Sequence, residues 1–152
     1  MYSRQEESLL RKQFWTGFGQ YLAPVPSAEG KKINWINYKT GIRFINFKMD
    51  AVRGYAYVGI EISGTDATKR EMYFNHFRNL WDESERENKG EWIWEQHFAN
   101  NGKIISRIYS KLENVNIYRQ PDWPQIISFL KSRIIFLDVF WTANREIFEM
   151  LD

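Results

Sequence analysis

The sequence has no cysteine and only two histidines, His76 and His97, in 152 residues. Without thiols there is no disulfide framework, no thiolate zinc site and no thiol nucleophile, and two isolated imidazoles fall short of a His-rich metal centre. Neither histidine has a second ligand at HxxxH or HExxH spacing. No apolar run reaches the roughly 18 residues of a membrane-spanning helix. The first ten residues, MYSRQEESLL, lack the basic-then-apolar order of a secretory signal. The glycine-rich loop and lysine of a P-loop are missing too, so Ser63-Gly64-Thr65 reads as a turn and cap. These absences lead us to expect a cytoplasmic protein without a membrane span, and they call for no metal and no cofactor.

An excess of one charge is also lacking, since 21 Lys and Arg face 19 Asp and Glu. The balance is uneven along the chain: residues 1–48 hold eight basic and three acidic residues, the remainder thirteen and sixteen. A basic end of that size is compatible with an acidic protein partner or with weak nucleic-acid contact, but with so small a total charge a plain solvated surface is the preferred reading.

Aromatics are abundant, with 7 Trp, 8 Tyr and 11 Phe. A chain of 18.3 kDa buries roughly 70% of its unfolded surface, so a core needs no staples and a single α+β domain over residues 1–152 is expected. Ser3-Arg4-Gln5-Glu6 reads as a capping box that opens a first helix. Leu10, Phe14, Phe18 and Tyr21/Leu22 recur at helical spacing, and Pro24 and Pro26 stop the helix. From Ile33 the period changes to two. Ile33–Tyr38, a Lys39-Thr40-Gly41 turn, Ile42–Asp50 and Tyr55–Ile62 read as three meandering antiparallel strands. On the third, Ala56, Val58, Ile60 and Ile62 share one side, and Tyr55, Tyr57, Gly59 and Glu61 share the other.

Ser63 to Asp66 breaks that strand and caps a second helix reaching about Glu87, with Asp82 to Lys89 as its charged end. Glu91–Phe98 and Lys103–Tyr109 read as strands around an Asn100-Asn101-Gly102 turn, and Leu112–Tyr118 as a sixth strand or an ordered loop. Asp122-Trp123-Pro124-Gln125 opens a long last helix, with Asp122 as cap. Ile127, Leu130, Ile134, Leu137, Trp141 and Phe148 form one stripe of it, and Ile126, Phe129, Phe136, Phe140 and Ile147 a second. Stripes that wide imply either packing on the sheet and the first helix together or a homodimer through the last helix. The expected fold is therefore α+β, an antiparallel sheet of five to six strands in the order α-β-β-β-α-β-β-(β)-α, covered mainly by the first and last helices.

Carboxylates are the simplest hydrolytic groups open to a chain without cysteine. A β-hairpin could bring Asp50 and Glu61 together, with Lys48 two positions from Asp50. A restriction-nuclease-like core carries Asp, then Asp/Glu, one residue and Lys; here Glu61 is followed by Ile62 and Ser63, so the lysine is missing at its motif position. The aromatic constellation is more informative. Trp35 and Tyr38, Tyr55 and Tyr57, Trp92 and Trp94, and Tyr109 fall on expected strands among Asn34, Asn37, Lys39, Arg43, Asn46 and Arg107. Such rings fill a core or, on an open sheet, stack on bases or sugars or line a peptide groove. Trp92 and Trp94, on one side of their strand, suit the core; Trp35, Asn37, Tyr38, Lys39, Arg43, Tyr55 and Tyr57 are the candidate binding residues.

The segments Phe14-Trp15-Thr16-Gly17-Phe18, Asn34-Trp35-Ile36-Asn37-Tyr38-Lys39-Thr40-Gly41-Ile42, Met49-Asp50, Gly59-Ile60-Glu61-Ile62 and Gly90-Glu91-Trp92 resemble the bacterial family of domains of unknown function numbered 4268. The resemblance covers nearly the whole chain. It implies a bacterial intracellular domain that occurs alone or behind other segments, some of them nuclease-like, and it brings no catalytic residue. On that expectation these 152 residues lack the nuclease-like portion and any activity it supplies. Recognition of a protein or nucleic acid is then the leading reading, and a diverged metal-dependent phosphodiesterase using Asp50, Glu61 and Lys48 the alternative.

Overall fold

A computed structural model describes residues 2–84 and 91–152. Among them, helix α1 (Arg4–Leu22) precedes strands β1 (Ile45–Ala51) and β2 (Arg53–Ile62), helix α2 (Ala67–Ser84), strands β3 (Ile93–Asn100) and β4 (Lys103–Asn116), and helix α3 (Trp123–Leu151). The expected end of α2 near Glu87, and the charged stretch up to Lys89, lie outside the described residues.

The capping box opens α1 as expected. Ser3 Oγ accepts from the Glu6 amide at 3.2 Å, and the Glu6 carboxylate accepts from the Ser3 amide at 3.1 Å, which holds the Glu6 pKa down. Phe14, Phe18 and Leu22, one helical turn apart, are all buried.

The strands form one antiparallel sheet in the order β1-β2-β4-β3. Four strands replace the expected five to six, for two reasons. Residues Ile33–Tyr38 are no strand: Asn34 Oδ1 accepts from the amides of Ile36 and Asn37, each at 3.2 Å, and winds the segment into a turn. Leu112–Asn116 is the continuation of β4, with the backbone irregularity opposite Gly54 and Tyr55 and a positive φ at Asn114 absorbing the extra residue. The Asn101-Gly102 turn joins β3 to β4 with positive φ at both positions, as read.

What alternates in residues 33–44 is pinned to α3 and the preceding loop instead of to a strand. Trp35 is 3% exposed and its Nε1 donates to the Val25 carbonyl at 2.9 Å. The Tyr38 hydroxyl donates to Asp138 at 2.6 Å, and Trp141 Nε1 donates to the Thr40 carbonyl at 3.0 Å. Residues 23–44 are thus a strap across α3, and β1 begins at Ile45.

Ala56, Val58, Ile60 and Ile62 of β2 are buried under helices, as their alternation requires. Those helices are α2 and α3, whereas α1 lies alongside α3 with Phe14 on Trp123 at 5.4 Å, so the expected covering pair was α1 and α3 and the observed one is α2 and α3. Both stripes of α3 find partners inside the chain. Phe136 meets Trp81 of α2 at 5.3 Å and Trp92 at 5.7 Å; Phe140 meets Trp81 at 5.0 Å and Phe77 at 5.9 Å. Asp122 does not cap α3: it sits in a 3-10 turn that runs into the helix, and its carboxylate accepts from the Asn116 amide at 3.0 Å.

Trp81 is 5% exposed and touches Trp92, Trp94, Phe136 and Phe140. Trp81→Ala is expected to cost about 3 to 5 kcal/mol, read as a lower urea midpoint at unchanged slope. A loss below about 1 kcal/mol would show that this cluster does not tie α2 to α3 and β3.

Candidate functional site

Because period two sends alternate residues to opposite faces, the sheet face away from α2 and α3 collects the residues that the core does not take. Cross-strand rows order them. Lys48, Gly59 and Tyr109 form one row; Asn46, Glu61, Arg107 and Glu95 a second; Asp50, Tyr57 and Lys111 a third. Between them runs a groove of about 330 Å³, which Tyr55 and Phe98 also line.

A run of rings crosses this groove, with cations lying over some of them. The Arg107 guanidinium lies 3.8 Å from the Phe98 ring centre and 4.4 Å from that of Tyr109, and is fixed by Glu95 at 2.7 Å. Lys111 Nζ is 4.5 Å from the centre of Tyr55, whose ring is 6.4 Å from Tyr57. Tyr57 in turn meets Tyr109 edge to face at 6.5 Å. Burial pushes the Tyr57 phenol pKa up, and the charges of Asp50 and Glu61 push it the same way. Tyr57, Tyr109 and Phe98 are half-buried, and Tyr55 at the end of the groove is exposed.

A second cavity, about 310 Å³, lies between the strap and α3 and is lined by Lys31, Asn34, Asn37, Tyr38, Lys39, Asp138 and Arg145. Asp138 at its base is 2% exposed and is satisfied by the Ala28 amide at 2.7 Å and by Tyr38. Arg145 is engaged by Glu29 at 3.5 Å and Glu149 at 3.2 Å.

The candidate binding residues separate into these places. Tyr55 and Tyr57 line the sheet groove; Asn37, Tyr38 and Lys39 line the strap cavity. Trp35 is corrected to a core residue, since its ring is buried and its only donor is used. Arg43 is exposed, 5.2 Å over Phe44, and among the lining residues of neither cavity. Trp92 and Trp94 pack on Trp81, on the helix side as read. Sequence reasoning missed Gly59, Phe98, Lys111 and the buried Asp138, and left Arg107 and Tyr109 as background to the pattern.

The β1-β2 hairpin does not bring Asp50 and Glu61 together. Asp50 stands opposite Tyr57 and Glu61 opposite Asn46, four positions along the strand or about 13 Å. Lys48 stands between them, opposite Gly59. Asp50 accepts from Arg11 at 3.0 Å and from the Ala51 amide at 2.8 Å. Among the described residues no group of three or more His, Cys, Asp or Glu is arranged to hold a metal ion.

The family model described as "Domain of unknown function (DUF4268)" matches residues 10–145. The chain belongs to the DUF4268 family. No curated protein and no solved structure matches it. The DUF4268 match runs from within α1 to Arg145 of α3 and so spans both cavities. No helix among the described residues is long and apolar enough to cross a membrane.

Two outcomes are expected from this geometry. Burial and the Asp138 carboxylate push the Tyr38 pKa up; burial and Asp152 push that of Tyr73 up to about 12. An unfolded phenol ionises near pH 10, so the stability from these protonated tyrosines is complete below about pH 10 and is lost as pH rises from there through the folded values. Urea unfolding from about pH 8 to about pH 11 should show a falling stability that flattens in Tyr38→Phe; an unchanged slope in that variant would contradict the assignment. Secondly, calorimetric titration with Mg²⁺ and Mn²⁺ should give no specific heat, and tight binding abolished by Asp50→Ala would count against the separated carboxylates described above.

Proposed function

We propose that this DUF4268 domain is a non-catalytic binding module that takes single-stranded nucleic acid on the open face of its sheet. The observation that carries the reading is the ladder of Phe98, Arg107, Tyr109, Tyr57, Tyr55 and Lys111, a run of rings across three strands with a cation lying against the rings toward each end. Unpaired bases stack on such rings, each worth about 1 to 3 kcal/mol, while cations beside the rings meet the phosphates. A duplex hides its base faces and has less to offer this surface.

The same residues set the strength. Lys48, Arg107 and Lys111 line the groove, and Arg107 and Lys111 are already shared with Glu95 and Glu113. Three phosphate contacts correspond to a salt slope no steeper than about −2 for a single strand, so binding is weak at physiological ionic strength. The phosphodiesterase reading has less behind it, since it requires Asp50 and Glu61 to share one cation.

Fluorescence anisotropy with single- and double-stranded oligonucleotides over a salt series tests the proposal. Single strands should bind better than duplexes, and Tyr55→Ala with Tyr57→Ala should weaken them about tenfold or more while circular dichroism stays unchanged. Equal binding to duplex, or binding indifferent to the two substitutions, would overturn it.

A further inference from the structure

The strap cavity shares no lining residue with the sheet groove, and its hydrogen-bonding groups are left unbalanced by the fold. Its acceptors are already engaged. Ser27 Oγ accepts from the Glu29 amide at 3.3 Å and the Lys31 amide at 3.2 Å, and Asn34 Oδ1 accepts from the two amides of its own turn. Each oxygen of Asp138 receives a donor, the Ala28 amide on one and the Tyr38 hydroxyl on the other, and Glu29 pairs with Arg145.

The donors are in the opposite condition. Among the described residues Lys31 and Lys39 have no ion pair, and the side-chain amino groups of Asn34 and Asn37 donate to no partner. All four residues line the cavity and are exposed at its mouth, whereas Asp138 is buried at its base. That base carboxylate gives the cavity a direction, because it repels a second negative charge and leaves it to the cations outside. Ile33 and Tyr38, both half-buried, supply the apolar part of the wall, with the Tyr38 ring stacked on Phe47 at 4.7 Å. Along α3 the cavity extends from Asp138 to Arg145, two helical turns or about 10 Å.

We infer that this cavity binds a small molecule with a flat neutral body and one terminal carboxylate or phosphate. The anionic group lies at the mouth on Lys31, Lys39 and the amino groups of Asn34 and Asn37, and the body lies along Ile33 and Tyr38. Anionic oxygens accept from cationic and amide donors of the kind that stand free here. A volume of about 310 Å³ is at the small end of ligand cavities and suits a ligand of one ring. The inference is independent of the nucleic-acid reading, which concerns the other face of the sheet.

Calorimetric titration at constant ionic strength with phenyl phosphate, benzoate and benzyl alcohol tests it, since the three share a ring and differ in its terminal group. At least one of the two anions is expected to bind saturably in the millimolar range or tighter, with benzyl alcohol far weaker, and the tighter anion tells phosphate from carboxylate. Lys31→Ala with Lys39→Ala, both at exposed positions, should leave circular dichroism unchanged and weaken that binding about tenfold or more. Lys48→Ala with Lys111→Ala, in the sheet groove, should leave it as it was. Absence of saturable binding by both anions overturns the inference, and so does benzyl alcohol binding as tightly as they do. Binding that survives the strap substitutions, or that falls equally with the sheet-groove pair, overturns it as well. None of these results bears on single-strand binding, which is read on Tyr55 and Tyr57.

Discussion

Trp141 is the residue through which the layers of this structure hold together. Its ring is fully buried and lies against Phe47 of β1, Phe77 of α2 and Phe148 of α3, while its Nε1 donates to the Thr40 carbonyl of the strap. An indole brings a large apolar body and one donor that needs a partner once water is excluded. Here the apolar body joins sheet and helices, and the donor fixes the segment that leads into the sheet. Thr40 Oγ1 continues the connection by donating to the Ile45 carbonyl at 2.6 Å, at the first residue of β1. The start of β1, and with it the row that sets Lys48 opposite Gly59, follows from how the strap is tied down.

With α2 and α3 on one side, the sheet divides its aromatic supply between two environments. Phe47, Trp94 and the aliphatic positions of β2 serve the core; Tyr55, Tyr57, Tyr109 and Phe98 serve the other face. The tyrosines suit that place, since a phenol offers an apolar face and keeps a polar end for water. Cations lie over the rings of Phe98, Tyr109 and Tyr55 on that face.

Much of the fold was legible where a local rule had no competitor. The capping box at Ser3 and Glu6, the two faces of β2, the Asn101-Gly102 turn and the two stripes of α3 all follow from residue type and spacing. The strap was misread because Ile33, Trp35 and Asn37 alternate with Asn34, Ile36 and Tyr38 as strand residues do, although the polar groups of Trp35 and Tyr38 go to Val25 and Asp138, partners that no local pattern announces. Asp122 has the form of a cap, but a nearer donor, the Asn116 amide, takes its carboxylate. The groove was half legible. Tyr55 and Tyr57 follow from alternation, whereas Phe98 does not: strict period two places it with Trp94 on the helix side. The irregularity between Glu95 and Phe98 turns it to the other face, opposite Ile105.

That irregularity has a second consequence, at the margin of the sheet. β3 is an edge strand, and His97 within it has a φ of 55°, so its pairing runs from Ile93 to Glu95, breaks, and resumes from Phe98 to Asn100. Its outer row of amides and carbonyls is broken at the same place. A foreign strand seeking to extend the sheet finds no straight template longer than a few residues, and the contacts it can make on either side of the break are too few to repay its ordering. An aromatic-rich chain is thereby protected on this edge against fibrous self-association.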